Sequence, residues 1–547
     1  MTSTRIRPRW LLALLVATTL SVSACGGGGG GDGSATTEPR TDEEGGGLVD
    51  AEPVEGGTIV WALEGETDGL NPVSGRFVNS GHVMASAIFD PLTTLDAEGR
   101  WEPYLAESLE PNDDYTEWTI TLRDGVTFHD GTPLTAEALN TVLNLHLDSA
   151  ISKGALFDVD SFEVSGPLSV RARLKVSWPT FPYLFTTQIG YVPSPEMLDV
   201  PEEARTPVGT GPFKFQEWNF GTSFKAVKYP DYWRRDDQGR QLPYLDAIEF
   251  RPIPDPQLRT DSLLDADVDM IITAALSEIA RLEASPDVKM LTYSEGEEQY
   301  VTLQTAKPPF NNETARRAVA LATDQAAVRE QMGADYAVPA NSQWAPGQPG
   351  YREDSGQVQT DLEAAKRAVA DYTAETGQPL AFTLISSQVL ENQKLQQILK
   401  QQWEAAGMQV SLETVPQADL VVRYALGNYQ AGISRLFGFP EPDTDHFFMH
   451  SRSIDPNLIS FNLPRYANPE IDAALDRARS STDEATRDEA YATVARLMNE
   501  HVPVVWLYRP TWAIASNLQV HGYRAAANGT IQTIGPKTWV ATLFKTT

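Results

Sequence analysis

Between residues 115 and 131 apolar and polar positions alternate with period two. Trp118, Ile120 and Leu122 face one way, and Val126 and Phe128 repeat the pattern after the turn pair Asp124-Gly125. That spacing predicts a β-hairpin. A second turn pair, Asp130-Gly131, leads to Thr135, which is placed to cap a helix with Glu137 in its first turn. Residues 56–72 open with an apolar run suited to a buried strand, and 207–250 is aromatic and turn-rich. Farther along, the period changes. Residues 314–332 and 362–373 read as helical, and 380–386 reads as a strand. In 390–406, Leu395, Ile398, Leu399 and Trp403 fall on one helical face. Gly407 then stands where a helix end wants positive φ, and 408–415 reads as another strand. Strand, helix and strand at this length predict a parallel crossover. Two helices follow in 469–500. The apolar run 502–508 is too short for a membrane and predicts a buried strand.

Hairpins in the first half and crossovers in the second suggest two lobes, with the final strand returning toward the first. The single cysteine, Cys25, closes the order V-S-A-C after a basic start and an uncharged apolar run over 10–22. That run is too short to span a bilayer and reads as an export signal over 1–24. Residues 25–56 are rich in Gly, Ser, Thr and acids. They cannot bury enough apolar surface to order themselves, so they read as a flexible tether. The net charge of −31 argues against a nucleic-acid partner. With one cysteine, the body must rest on its core, and it is too large for a single core.

Six blocks, "GLNP" (69–72), "YLAESLE" (104–110), "WTITLRDGVTFHDGTPLTAE" (118–137), "PVGTGPFKF" (207–215), "RRAVALATD" (316–324) and "NPEIDAALDRA" (468–478), occur in this order. Together they resemble the extracellular solute-binding proteins of ABC importers, in the family 5 group that binds oligopeptides, dipeptides and nickel. The V-S-A-C order likewise resembles a lipobox, in which Cys25 becomes the acylated N-terminus. The resemblance implies an α/β, two-lobed periplasmic-binding-protein-like fold of type II, the large cluster C kind, with a β-rich extra subdomain. Lobe I is expected over 57–302, with the subdomain at about 85–190. Lobe II is expected over 303–506 and a return to lobe I over 507–547, with hinge crossings near 300–306 and 505–509. The implied function is a lipid-anchored, monomeric receptor on the extracytoplasmic face of the cell membrane. It would deliver peptides or a similar small solute to permease and ATPase subunits, without a cofactor, a metal or nucleic acid.

Peptide-binding relatives place an aspartate for the ligand's amino group just before a P-x-P-D-like segment. Here that region, "SRLFGFPEPDTDHFF" (434–448), carries Arg435, Phe437 and Phe439, and its acids Glu441, Asp443 and Asp445 come later. Arg435 either accepts an oxyanion of the ligand or pairs with a protein acid. The expected ligand-binding set is Asn79 and His82 from the first lobe, Trp344 in the loop "NSQWAPGQPGY", and Arg435, Phe437, Phe439 and Asp443. An oligosaccharide, a nickel or metal chelate, or a sensing role are the alternatives. His446 and His450 stand at i, i+4 as chelators would, but they read as interface histidines. "GTGPFK" resembles a phosphate loop and lacks its ending. The sequence carries no nucleophile elbow, HExxH or catalytic cysteine, and it reads as no enzyme.

Overall fold

The computed structural model describes residues 51–77, 79–96, 98–200, 206–293, 297–436, 438–455, 460–523 and 539–547. The lipobox, and with it Cys25, lies outside them, as does Phe437. Among the described residues no helix is long and apolar enough to cross a membrane.

Two mixed sheets organise the chain. The first has seven strands, in the order Val288–Tyr293, Trp512–Asn517, Met270–Thr273, Thr58–Leu63, Ala247–Pro252, Ser223–Lys228 and Phe213–Asn219. Thr58–Leu63 runs parallel to Ala247–Pro252, with Thr58 opposite Ala247. The β-branched and aromatic run TIVWAL suits such a central, two-sided position. Helix Asn79–Ile88 is buried along its length, and Val83, Met84 and Ile88 join the core of this sheet.

The second sheet has six strands, in the order Ala337–Pro339, Val504–Pro510, Glu298–Leu303, Ala431–Leu436, Ala381–Ser387 and Gln409–Val415. The expected crossover is here. Ala381–Ser387 pairs in parallel with Gln409–Val415, joined by helix Leu390–Ala405, whose Leu395, Ile398, Leu399 and Trp403 are buried. Gly407 closes that helix at φ 93°. Every residue of Val504–Pro510 is buried, as its apolar run predicts.

Three expectations change. The stretch 115–131 is not a hairpin. Strand Glu117–Leu122 pairs with Ala106–Pro111 and Ser169–Leu174 instead, and 123–133 closes on itself through a single bridge, Thr127 to Pro133. Helix Ala136–Asp148 follows with Thr135 as its cap, accepting from the Ala138 N–H, and packs on this separate four-stranded sheet. The helical stretch 314–332 is two helices, Glu313–Ala322 and Gln325–Gly333. The break falls where Asp324 accepts the Ala327 N–H and restarts the turn. Finally, 300–306 and 505–509 lie mostly within adjacent strands of the six-stranded sheet. The chain passes between the sheets just outside those strands, once between residues 293 and 298 and once at Thr511.

Candidate functional site

Arg435 stands at the end of strand Ala431–Leu436, opposite Gln299. Its guanidinium lies 3.1 Å from Glu297, with its side chain 40% exposed and that of Glu297 only 6%. The arginine also lies over the Trp512 ring at 5.5 Å, and the Trp512 indole N–H donates to Glu297. Burial would lower the Arg435 guanidinium, but Glu297, Glu64 and Glu391 hold it raised. Of the two readings of this arginine, the ion pair is present. It joins residues too far apart in sequence for any local pattern to show it.

The neighbouring pair goes deeper. Glu298 accepts from Arg509, and both side chains are buried. The other end of Arg509 donates to the carbonyls of Ser342 and Trp344 at 2.9 and 2.8 Å, fixing the turn that carries Trp344. Trp344 is therefore drawn inward. It is 1% exposed, packs on Tyr491 and donates its indole N–H to the Tyr491 carbonyl at 3.1 Å. It is a core side chain rather than a cleft aromatic. Next to it, Gln343 is also buried, and both its amide atoms lack a hydrogen-bond partner.

Asn79 and His82 lie on the buried helix of the first lobe. His82 packs edge-on to Phe77 and against Tyr191. Burial pushes its pKa down to about 4. The Asn79 Oδ1 and His82 Nδ1 atoms have no hydrogen-bond partner.

Asp443 is not a free acid. It accepts from the Trp178 indole, from the Thr180 hydroxyl at 2.8 Å and from Arg479 at 2.8 Å. Arg479 stacks 4.0 Å over the Trp178 ring and also reaches Asp158 at 2.8 Å, while Asp158 pairs with Arg452 at 2.7 Å. Trp178, Thr180 and Asp158 belong to the part built on the four-stranded sheet, and Asp443, Arg452 and Arg479 to the part carrying the six-stranded sheet. Phe447 adds an apolar contact, packing against the core of the four-stranded unit.

Between these parts lies a cavity of about 730 Å³. Glu98, Arg100 and Tyr183 line one wall; the loop 345–349, Gly438, Pro440, Glu441, Arg487 and Asp488 line the other. Phe439 is half-buried between the lining residues Gly438 and Pro440 without itself lining the cavity, and its carbonyl accepts from Gln348 at 2.9 Å. Glu441 pairs with Arg487 at 2.6 Å, and burial raises its carboxyl to about 7 against the pull of that arginine. No local pattern marks Arg487, Tyr183 or Glu297. Glu441 was visible only as one acid in a run of acids.

A two-lobed body with a solute-sized chamber between its parts, walled by charged groups of both signs, defines a solute-binding protein. The chain belongs to the bacterial extracellular solute-binding proteins, family 5, whose family model (its middle region) matches residues 100–456. It is similar to the glutathione-binding protein GsiB of Escherichia coli strain K12, 25% identical over 435 residues covering 77% of this chain and 83% of that protein. It is also similar to the probable D,D-dipeptide-binding periplasmic protein DdpA of the same strain, 25% identical over 443 residues, 79% of this chain and 82% of that one. Among solved structures, the fold matches PBP AgaA from A. tumefacien R10 in complex with agropinic acid. The TM-score is 0.81 at 22% identity, covering 90% of this chain and 99% of AgaA. It also matches the oligopeptide-binding protein AppA from Bacillus subtilis in complex with a nonapeptide, with TM-score 0.79 at 22% identity, covering 91% and 100%. The matched family and these neighbours are binding proteins.

Proposed function

We propose that this chain is the solute-capturing subunit of an ABC importer, and that it takes a short peptide or a similar zwitterionic, amino-acid-derived solute into the chamber between its lobes. The chamber is the observation that carries this reading. Its volume falls within the usual range for small-ligand sites, about 300–1,000 Å³. Its walls carry Glu98, Glu441, Glu484 and Asp488 beside Arg100 and Arg487, charges of both signs that a zwitterion could share with the wall pairs Arg100–Glu98 and Arg487–Glu441. The similarity to glutathione-, dipeptide- and oligopeptide-binding proteins supports the same ligand class. Pairing with Glu297 leaves Arg435 poorly suited to hold a ligand oxyanion alone, which favours a ligand carrying a cation as well as an anion.

The chain is held at the membrane by lipid on Cys25, with 25–56 as its tether. The lipobox order supports this, and delivery to the permease and ATPase subunits follows from the family. A melting screen tests the ligand class. A ligand at about a hundred times its Kd stabilises the folded state by roughly 2.7 kcal/mol, a visible shift in Tm. Dipeptides and tripeptides should shift Tm. Oligosaccharides should not. A sugar that does so while no peptide does overturns the reading. For the anchor, Cys25→Ala should release the protein from the membrane fraction, and retention equal to the parent chain counts against lipidation.

A further inference from the structure

We propose a divalent-metal site of the Zn(II) class in the second lobe, beside its contact with the four-stranded unit, formed by His446, His450 and Asp476. His446 begins the short helix His446–Met449, and His450 follows its end, so the i, i+4 spacing stacks the two imidazoles at 4.8 Å between centroids. The fold adds a third donor from helix Pro469–Ser480. The Asp476 Oδ1 lies 3.4 Å from the His446 Nε2 and 3.3 Å from the His450 Nε2. Donors around a tetrahedral ion with bonds of about 2.0–2.1 Å sit about 3.3 Å from one another. All three donor atoms fall within 4.8 Å, so only the two imidazoles need draw closer.

The surroundings favour a cation. Asp472 and Asp476 face the two imidazoles, and Arg452 is the cation in contact with Asp476. A divalent ion would sit between these two carboxylates. Both imidazoles are buried and fixed, whereas Asp476 is 56% exposed, so the site opens to solvent on the carboxylate side. That gives three protein donors and room for a water, and two imidazoles with one carboxylate suit a borderline ion such as Zn(II).

Two groups must adjust. Arg452 touches the Asp476 Oδ1 at 3.3 Å and keeps Asp158 as its other partner. The His450 Nδ1 accepts the Arg452 backbone N–H at 3.0 Å and faces Asp472 at 3.4 Å. When Nε2 ligates, the ring proton moves to Nδ1, which gives up the Arg452 N–H and turns to donate to Asp472. This is the carboxylate partner that metal-bound histidines commonly have.

Titration calorimetry of the chelator-stripped protein with ZnCl2 tests the site. One ion per chain is expected, with affinity falling tenfold or more in Asp476→Asn and in His450→Gln. His501→Gln, remote from the cluster, should leave it unchanged. Because Asp476 is largely exposed, its replacement leaves the fold intact, which circular dichroism checks. Co(II) should give an intense tetrahedral visible spectrum that Asp476→Asn abolishes. No stoichiometric uptake, or uptake that Asp476→Asn leaves unchanged, overturns the assignment. Uptake lost with His501→Gln places the ion elsewhere and overturns it equally.

Discussion

Glu298–Arg509 and Asp158–Arg479 are both buried carboxylate–guanidinium pairs, and they differ in what carries them. The first joins neighbouring strands of one sheet, Glu298–Leu303 and Val504–Pro510, beside the passages between sheets. The second joins the four-stranded unit to the helix Pro469–Ser480, at the buried contact between the two parts. A buried charge that loses its partner is costly only while it stays buried. At the strand pair there is no escape short of unfolding. At the contact between the parts, separation would return Asp158 to water while Arg479 keeps Asp443. We therefore expect the first pair to act on folding stability and the second on the balance between open and closed forms, which periplasmic binding proteins set by hinge motion.

Arg509→Met should separate the two most strongly. It strands Glu298 in the core and should cost about 3–5 kcal/mol of folding stability, read by denaturant unfolding. If Asp158→Asn costs as much, the distinction fails.

Acid comes next. Burial holds His82 down to about 4, against an unfolded value of 6.5. The unfolded chain binds the extra proton first, so the contribution of His82 is full above that value and is lost as pH falls toward 4. By pH 5 the loss is about 2 kcal/mol. Burial would raise Asp158, but Arg452 and Arg479 hold it below its ordinary value, so its carboxylate stays charged until lower pH. Burial also holds His129 down to about 4 and His146 to about 3, so they lose stability over the same window. His82→Gln should therefore make the fall between pH 7 and 5 shallower by about 2 kcal/mol without abolishing it, whereas Asp158→Asn should run parallel to the parent. A shallower fall in Asp158→Asn would show this contact titrating in that window.

The third effect falls on binding. Asp158→Asn should weaken the best peptide from the melting screen about tenfold, near 1.4 kcal/mol, and should enlarge the unliganded protein in small-angle scattering. Unchanged affinity and size would reduce the network between the parts to static packing.

Arg435→Gln is the smallest change. Its pair with Glu297 is partly in solvent, and Trp512 still donates to the carboxylate. A loss of about 1 kcal/mol or less, with affinity moved under tenfold, is expected from calorimetry. A larger affinity loss would make this arginine a ligand contact.

What could be read from sequence was local. The crossover around helix Leu390–Ala405 was legible because its apolar spacing, its terminal glycine and its flanking strands all lie within some forty residues. The Thr135 cap was legible for the same reason. The supposed hairpin failed because alternation reveals that a segment is a strand but not which strand it pairs with; Glu117–Leu122 found its partners at 106–111 and 169–174. Trp344 was placed in the cleft from its loop composition, yet Arg509 and Tyr491, both far along the chain, pull it into the core. The network between the parts was least legible. Asp158, Asp443 and Arg479 are unremarkable singly, and only the fold brings them together.

Thr511 alone separates the strand Val504–Pro510 of one sheet from Trp512–Asn517 of the other. Its N–H donates to the Tyr336 carbonyl at 2.9 Å, and the proline before it has its φ fixed by its ring. Along this stretch the two sheets share one nearly continuous ribbon with very few free torsions. A swing of one half against the other would turn on those torsions together with the second passage, between residues 293 and 298, as a door turns on two pins. We expect the line between these two passages to set the direction of opening, and the solute to set how far the door stands ajar.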